Sequence, residues 1–84
     1  MSYKVFLKRS AEKEFESLYS PLFDRIENKL LALEKSPRPS GVQKLQGQEV
    51  YRIRVGDYRI LYLIDDSVKR VEVISIAHRR EAYR

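Results

Sequence analysis

Three arginines, Arg52, Arg54 and Arg59, stand in the stretch Tyr51-Arg52-Ile53-Arg54-Val55-Gly56-Asp57-Tyr58-Arg59-Ile60-Leu61-Tyr62. Apolar and basic residues alternate along Tyr51–Val55, which is the period of a half-buried strand. Gly56-Asp57 between two β-rich runs predicts a two-residue turn, with glycine supplying the positive φ of type II′. That turn fixes the register of a hairpin: Val55 opposite Tyr58, Arg54 opposite Arg59, Ile53 opposite Ile60 and Tyr51 opposite Tyr62. One face then carries Tyr51, Ile53, Val55, Tyr58, Ile60, Tyr62 and Ile64, and the other carries Arg52, Arg54 and Arg59. Arg54 and Arg59 would face each other, and like charges in that position are destabilising. An anion between them relieves the repulsion, and a guanidinium fork matches phosphate well. The bland alternative is a solvated basic strand face, common in small basic proteins.

The elements that must hold this hairpin come from a chain of 84 residues, the size of one small domain, residues 1–84. Cysteine is absent and His78 is the single histidine, so neither a disulfide framework nor a multi-histidine metal site is available. Apolar packing alone must supply the core, which is marginal at this size. The apolar runs are too short to span a bilayer, and Met1-Ser2-Tyr3-Lys4 leads into a strand-like segment, not a signal peptide. The cytoplasm is the expected compartment. The net charge of +5 favours an acidic partner: nucleic acid, an anionic membrane surface or an acidic protein.

Tyr3–Lys8 reads as a first strand. Ser10 is the expected N-cap of a helix with Glu12 and Glu14 in its first turn, and Ala11, Phe15, Leu18 and Tyr19 form its apolar stripe. Ser20-Pro21 predicts a second start, with serine capping and proline first in the helix. Leu22, Ile26, Leu30 and Leu33, with Phe23 beside them, give the second stripe, which Pro37 ends. These stripes are core and carry no chemistry. Ser36–Gly41 is loop by composition. Val42–Glu49 is polar and could hold a turn lying over the sheet. After the hairpin, Asp65-Asp66-Ser67 marks a turn of two to four residues, so the register of the final strand, Arg70–Ile76, stays open. Glu81–Arg84 is a short helical turn or a frayed end. The expected fold class is α+β, in the order β-α-α-β-β-β. An αα-hairpin packs on one face of a mainly antiparallel sheet, and the arginine face is left uncovered.

Read whole, the chain resembles a RelE-type toxin of the RelE/ParE toxin–antitoxin superfamily. The resemblance rests on the element order, on Glu34-Lys35-Ser36-Pro37 closing the second helix, and on Lys44-Leu45-Gln46-Gly47 before the hairpin. Its most specific parts are Tyr51–Tyr62 and Ile76-Ala77-His78-Arg79-Arg80-Glu81-Ala82-Tyr83. The resemblance implies a ribosome-dependent endoribonuclease that cuts messenger RNA without metal or cofactor and leaves 2′,3′-cyclic phosphate and 5′-hydroxyl ends. It also implies a cognate RelB-like antitoxin in a hetero-oligomeric complex, with ribosome and mRNA as the other partners and no membrane. The family's catalytic positions fall on Arg52, Arg54, Arg59, Arg79 and Tyr83. RNA binding is assigned to Lys44, Arg52, Arg54, Arg59 and Arg80.

One departure bears on mechanism. The best-known RelE has lysine where this chain has Arg52 and Arg54. Lysine becomes a base when burial lowers its pKa, whereas arginine stays charged. Arg52 and Arg54 therefore suit phosphate clamping rather than proton abstraction. His78 is the one side chain with an unperturbed pKa near neutrality, which makes it the acid/base candidate; otherwise it is a polar strand-end residue. Tyr83 stacks on a base or orients a proton, or it packs the C-terminus. Two competing functions are a ParE-like inhibitor of DNA gyrase and a non-catalytic nucleic-acid-binding module.

Overall fold

The computed structural model describes residues 2–47 and 49–78. The order is β1 (Lys4–Leu7), α1 (Arg9–Glu16), α2 (Leu22–Lys35), β2 (Gln43–Lys44), β3 (Val50–Val55), β4 (Tyr58–Asp65) and β5 (Arg70–His78). The strands form one sheet in the order β1-β5-β4-β3-β2. β1 runs parallel to β5 and the other neighbours are antiparallel. The fold is α+β as expected, with β2 added in the polar stretch before the hairpin. β2 lacks any apolar alternation and owes its extended form to pairing with β3, Gln43 opposite Arg52 and Lys44 opposite Tyr51.

The hairpin register is the predicted one, with Arg54 opposite Arg59 and Val55 opposite Tyr58. Gly56 has φ +59° while Asp57 has no positive φ. That combination suits a type II′ turn and excludes type I′, which needs positive φ at both positions. The register of β5 is now fixed as well. Leu61 faces Ser75 and Tyr62 faces Val73, so Ile74 is an extra residue in a bulge. The bulge changes the inside–outside parity of β5 midway. Val71, Val73 and Ile76 can therefore all be buried in the core despite their mismatched spacing.

The core lies between that face and the helices. Ala11, Ile26, Leu30 and Leu33 pack against Ile53, Val55, Ile60, Tyr62, Val71, Val73 and Ile76, and the Phe15 and Phe23 rings stack 4.4 Å apart. Three local expectations are corrected. α1 starts at Arg9 with Lys8 at the cap position and no side-chain cap, so Ser10 lies inside the first turn. The cause is the tight exit from β1: the Lys8 N–H donates to Val73 O at 2.8 Å, and the Lys8 carbonyl already accepts from Glu12 N at 2.8 Å. Ser20 does not cap α2 either; Pro21 occupies the cap position and the helix begins at Leu22. Tyr19 is 86% exposed, because α1 ends at Glu16 and the helical stripe does not reach it.

Loop 36–41 is pinned by polar contacts. Tyr62 donates to Pro37 O at 2.8 Å, and burial pushes its phenol up to about 12. Arg38 donates to both Asp66 carboxylate oxygens, at 3.2 and 2.9 Å, and its Nε donates to Tyr51 at 3.2 Å. Tyr3 donates to Asp66 Oδ1 at 2.5 Å. These bonds, from Arg38 first and then Tyr3, hold the Asp66 carboxyl down at about 2. A carboxyl depressed on folding stabilises above its unfolded value of about 3.9, and that contribution is lost as pH falls through the folded value. The melting-temperature gap between the native chain and Asp66→Asn should therefore be constant above about pH 5 and close between about pH 4 and pH 2. A gap undiminished at pH 2 would falsify this account. Among the described residues, no helix is long and apolar enough to cross a membrane.

Candidate phosphate-binding site

Alternation along β3 and β4 puts Arg52, Arg54 and Arg59 on the sheet face turned away from the helices. Leu61 and Leu63 share it on β4, and Ser75 and Ala77 share it on β5. The expectation of an uncovered arginine face needs correction at its centre. Arg54 is exposed and Arg52 half-buried, but Arg59 is only 5% exposed. β4 is the middle strand of five, so Arg59 is flanked on both sides, by Arg54 on β3 and by the buried Ala77 on β5. A guanidinium held at that depth is preorganised and poorly screened by water, which strengthens its action on a bound anion.

A notch of about 20 Å³ lies at the turn end of this face, lined by Arg54, Gly56, Asp57 and Arg59. It has room for one oxygen-sized group, such as a single phosphate oxygen reaching between the two guanidiniums. A larger hollow of about 290 Å³ adjoins it, lined by Gly41, Gln43, Arg52 and Arg54. Arg52 donates through Nη2 to Gln43 Oε1, which holds its guanidinium at the β2 edge.

The other candidates are placed as follows. Lys44 is opposite Tyr51, on the helix-side face, and pairs with Glu49 at 3.4 Å. Gln43, not Lys44, shares the face of the arginines. His78 ends β5 opposite Tyr58, and the two rings meet edge to face at 5.5 Å. That puts the imidazole on the Tyr58 face, while its neighbour Ala77 is on the face of Arg59. Arg79, Arg80 and Tyr83 lie outside the described residues. Glu14, expected in the first turn of α1, lies one turn further on because the helix starts at Arg9, and the sequence reading missed its contact: its Oε1 accepts the Ile76 N–H at 2.9 Å. β1 pairs with β5 only as far as Val73, and Glu14 satisfies the strand edge beyond it, on the run leading to His78. Nothing in the sequence around Glu14 marks it out from its helix-face neighbours.

A family profile described as "ParE toxin of type II toxin-antitoxin system, parDE" matches residues 5–83, and the chain belongs to this family, within the RelE/ParE toxin superfamily. Toxin RelE of Mycobacterium tuberculosis is 51% identical over 35 residues, 42% of this chain; the match spans only 36% of that relative's length. The archaeal RelE–RelB complex from Pyrococcus horikoshii OT3 contains a chain that superimposes with a TM-score of 0.84 at 29% identity, covering 94% of this chain and 97% of that one. The intact E. coli RelBE toxin–antitoxin complex gives 0.80 at 30% identity, covering 92% and 96%. Both of those structures hold the toxin with its antitoxin.

Proposed function

We propose that this toxin is a metal-independent, ribosome-dependent endonuclease of messenger RNA, acting in the cytoplasm and restrained by a RelB-like antitoxin in a hetero-oligomeric complex. The observation that carries the reading is the pair Arg54 and Arg59, held opposite each other across the hairpin with Arg59 buried. Two facing guanidiniums suit a centre that gains charge, as phosphorus does when it passes to a phosphorane. In the proposed step the 2′-hydroxyl oxygen attacks the adjacent phosphorus and its proton goes to a base. The bond to the 5′-oxygen breaks, and that oxygen takes a proton. The products are a 2′,3′-cyclic phosphate and a 5′-hydroxyl. Arg54 and Arg59 hold the non-bridging oxygens and Arg52 secures the adjoining phosphate. Proton transfer is assigned to Tyr83 and, when its ring swings round the end of β5 from the Tyr58 face to reach the reacting oxygens, to His78, with Arg79 as a further charge. The superpositions on RelE chains support the same reading.

The matching profile carries the ParE name, which favours a second reading as a gyrase inhibitor that cuts no RNA. One experiment separates the two. Inducing the toxin alone should stop protein synthesis within minutes, with new 5′ ends in ribosome-bound message seen by primer extension and plasmid supercoiling unchanged. Collapsing supercoiling with intact message would leave the gyrase reading standing and remove the nuclease one.

A further inference from the structure

A groove of about 410 Å³ runs between α2 and the β3–β4 turn, lined among others by Arg25, Asn28, Lys29, Ala32, Arg54 and Gly56. We infer that this groove is a second RNA-backbone site, holding phosphates of the strand that runs on from the arginine face; the inference rests on the nuclease reading above.

The four α2 residues stand at i, i+3, i+4 and i+7, one face of a helix. Arg25 and Lys29 are a like-charge pair at i, i+4, an arrangement that works against the helix unless an anion relieves it. No acid lines the groove, and among the described residues neither these two nor Arg54 forms an ion pair. The hairpin turn shapes the far wall. A methyl at Gly56 would lie 3.5 Å from Arg25 Nη1, so the guanidinium spans from helix to turn across a position with no side chain. Ala32 keeps the opposite end open with a single methyl. Asn28 adds an amide that both donates and accepts, suited to phosphate and to ribose hydroxyls alike.

Arg54 makes the groove continuous with the proposed site, because it lines the groove, the notch and the hollow beside Arg52. A cationic path therefore leads from Arg52 past Arg54 and Arg59 to Lys29 and Arg25. A polyanion needs cations in sequence and little else. An acidic protein segment that folds on binding also needs apolar anchors at the centre of its contact. The groove offers Ala32 and the buried Val55 and no large exposed apolar side chain. The occupant it fits is an RNA backbone, either the message beyond the cut or ribosomal RNA beside it.

The test is single-turnover cleavage of a defined message on programmed ribosomes, run over a range of ribosome and salt concentrations. Alanine is the better helix former at both α2 positions, so Arg25→Ala/Lys29→Ala keeps its fold. Its half-saturating ribosome concentration should rise about tenfold or more at low salt, and log affinity against log salt should be shallower by about 1.4, two contacts at about 0.7 each for a single strand. Lys8→Ala/Lys13→Ala, which removes the same charge from the β1–α1 end, should change neither. Equal effects from both double variants, or no effect from the α2 pair, overturn the inference. A photo-crosslinking amino acid in place of Asn28 should give adducts on message or on ribosomal RNA, which tells the two sources apart; adducts on protein alone overturn it in favour of an acidic protein partner. If the native chain leaves ribosome-bound message intact, the nuclease reading fails separately. The groove is then judged on a labelled single-stranded RNA oligonucleotide, where a shallower salt slope in the α2 double variant supports it and an unchanged slope overturns it.

Discussion

Arg59→Ala is expected to slow single-turnover cleavage of ribosome-bound message by roughly 10²-fold or more, the scale of removing one preorganised donor from a developing charge. Ribosome affinity should fall far less, since the net charge of +5 is spread over many side chains. Arg59 is the right residue to remove because it is the buried member of the facing pair. Its guanidinium acts where water screens least, whereas Arg54 is exposed and shares its field with solvent. The variant should also stay folded. Relief of its repulsion with Arg54 is set against the packing lost when a side chain only 5% exposed is truncated, so the melting temperature should fall moderately and the rate is compared at full folded fraction. Arg54→Lys keeps the charge but loses the bidentate fork, and its rate should fall between those of the native chain and Arg59→Ala. A full rate at saturation in Arg59→Ala, with ribosome affinity lost, would mean that the arginines bind the ribosome and do not clamp the scissile phosphate.

The hairpin was legible in the sequence because two local signals agree there. Alternation assigns the faces, and a two-residue turn at Gly56-Asp57 sets the pairing, so the Arg54–Arg59 juxtaposition follows from the residues alone. Depth was not legible. Alternation places Arg59 on a face but says nothing of which strand is central, and burial at β4 depends on β3 and β5 closing on both sides. β5 could not be registered from the sequence because the turn at Asp65-Asp66-Ser67 had no fixed length there, and the structure adds an extra residue at Ile74 that breaks the two-residue period as well. His78 inherits that ambiguity, and its face is settled only by its pairing with Tyr58. β2 was hidden because Gln43 and Lys44 are both polar and extended through their partner strand alone. Arg25 and Lys29 show a basic i, i+4 pair in the sequence, but only the packed structure brings that pair against Gly56 and Arg54.

Ile60→Ala is expected to lower the unfolding free energy by about 2–5 kcal/mol, the range for truncating a fully buried isoleucine. Ile60 is 0% exposed, pairs with Ile53 on one side and Ile76 on the other, and belongs to the cluster that includes Ile26, Leu30 and Leu33 on α2. With both flanking strands and the helix layer fixed around it, the site has little freedom to collapse, so most of the cavity should persist. A domain of 84 residues has roughly 4–13 kcal/mol in total, at about 0.05–0.15 kcal/mol per residue. The loss is therefore a large share of the whole, and a urea titration should show the midpoint moving sharply down with the slope unchanged. Ile60→Val, which removes one methyl, should cost only about 0.5–1.5 kcal/mol. Ile60 is next to Arg59 in the chain but faces the opposite side of the sheet, which makes the pair of variants informative together. Arg59→Ala should lose rate even at full folded fraction, and Ile60→Ala should lose stability and recover rate in proportion to the folded fraction when a stabilising osmolyte is added. Loss of rate in Ile60→Ala at full folded fraction would instead mean that the core beneath β4 sets the position of the Arg59 guanidinium.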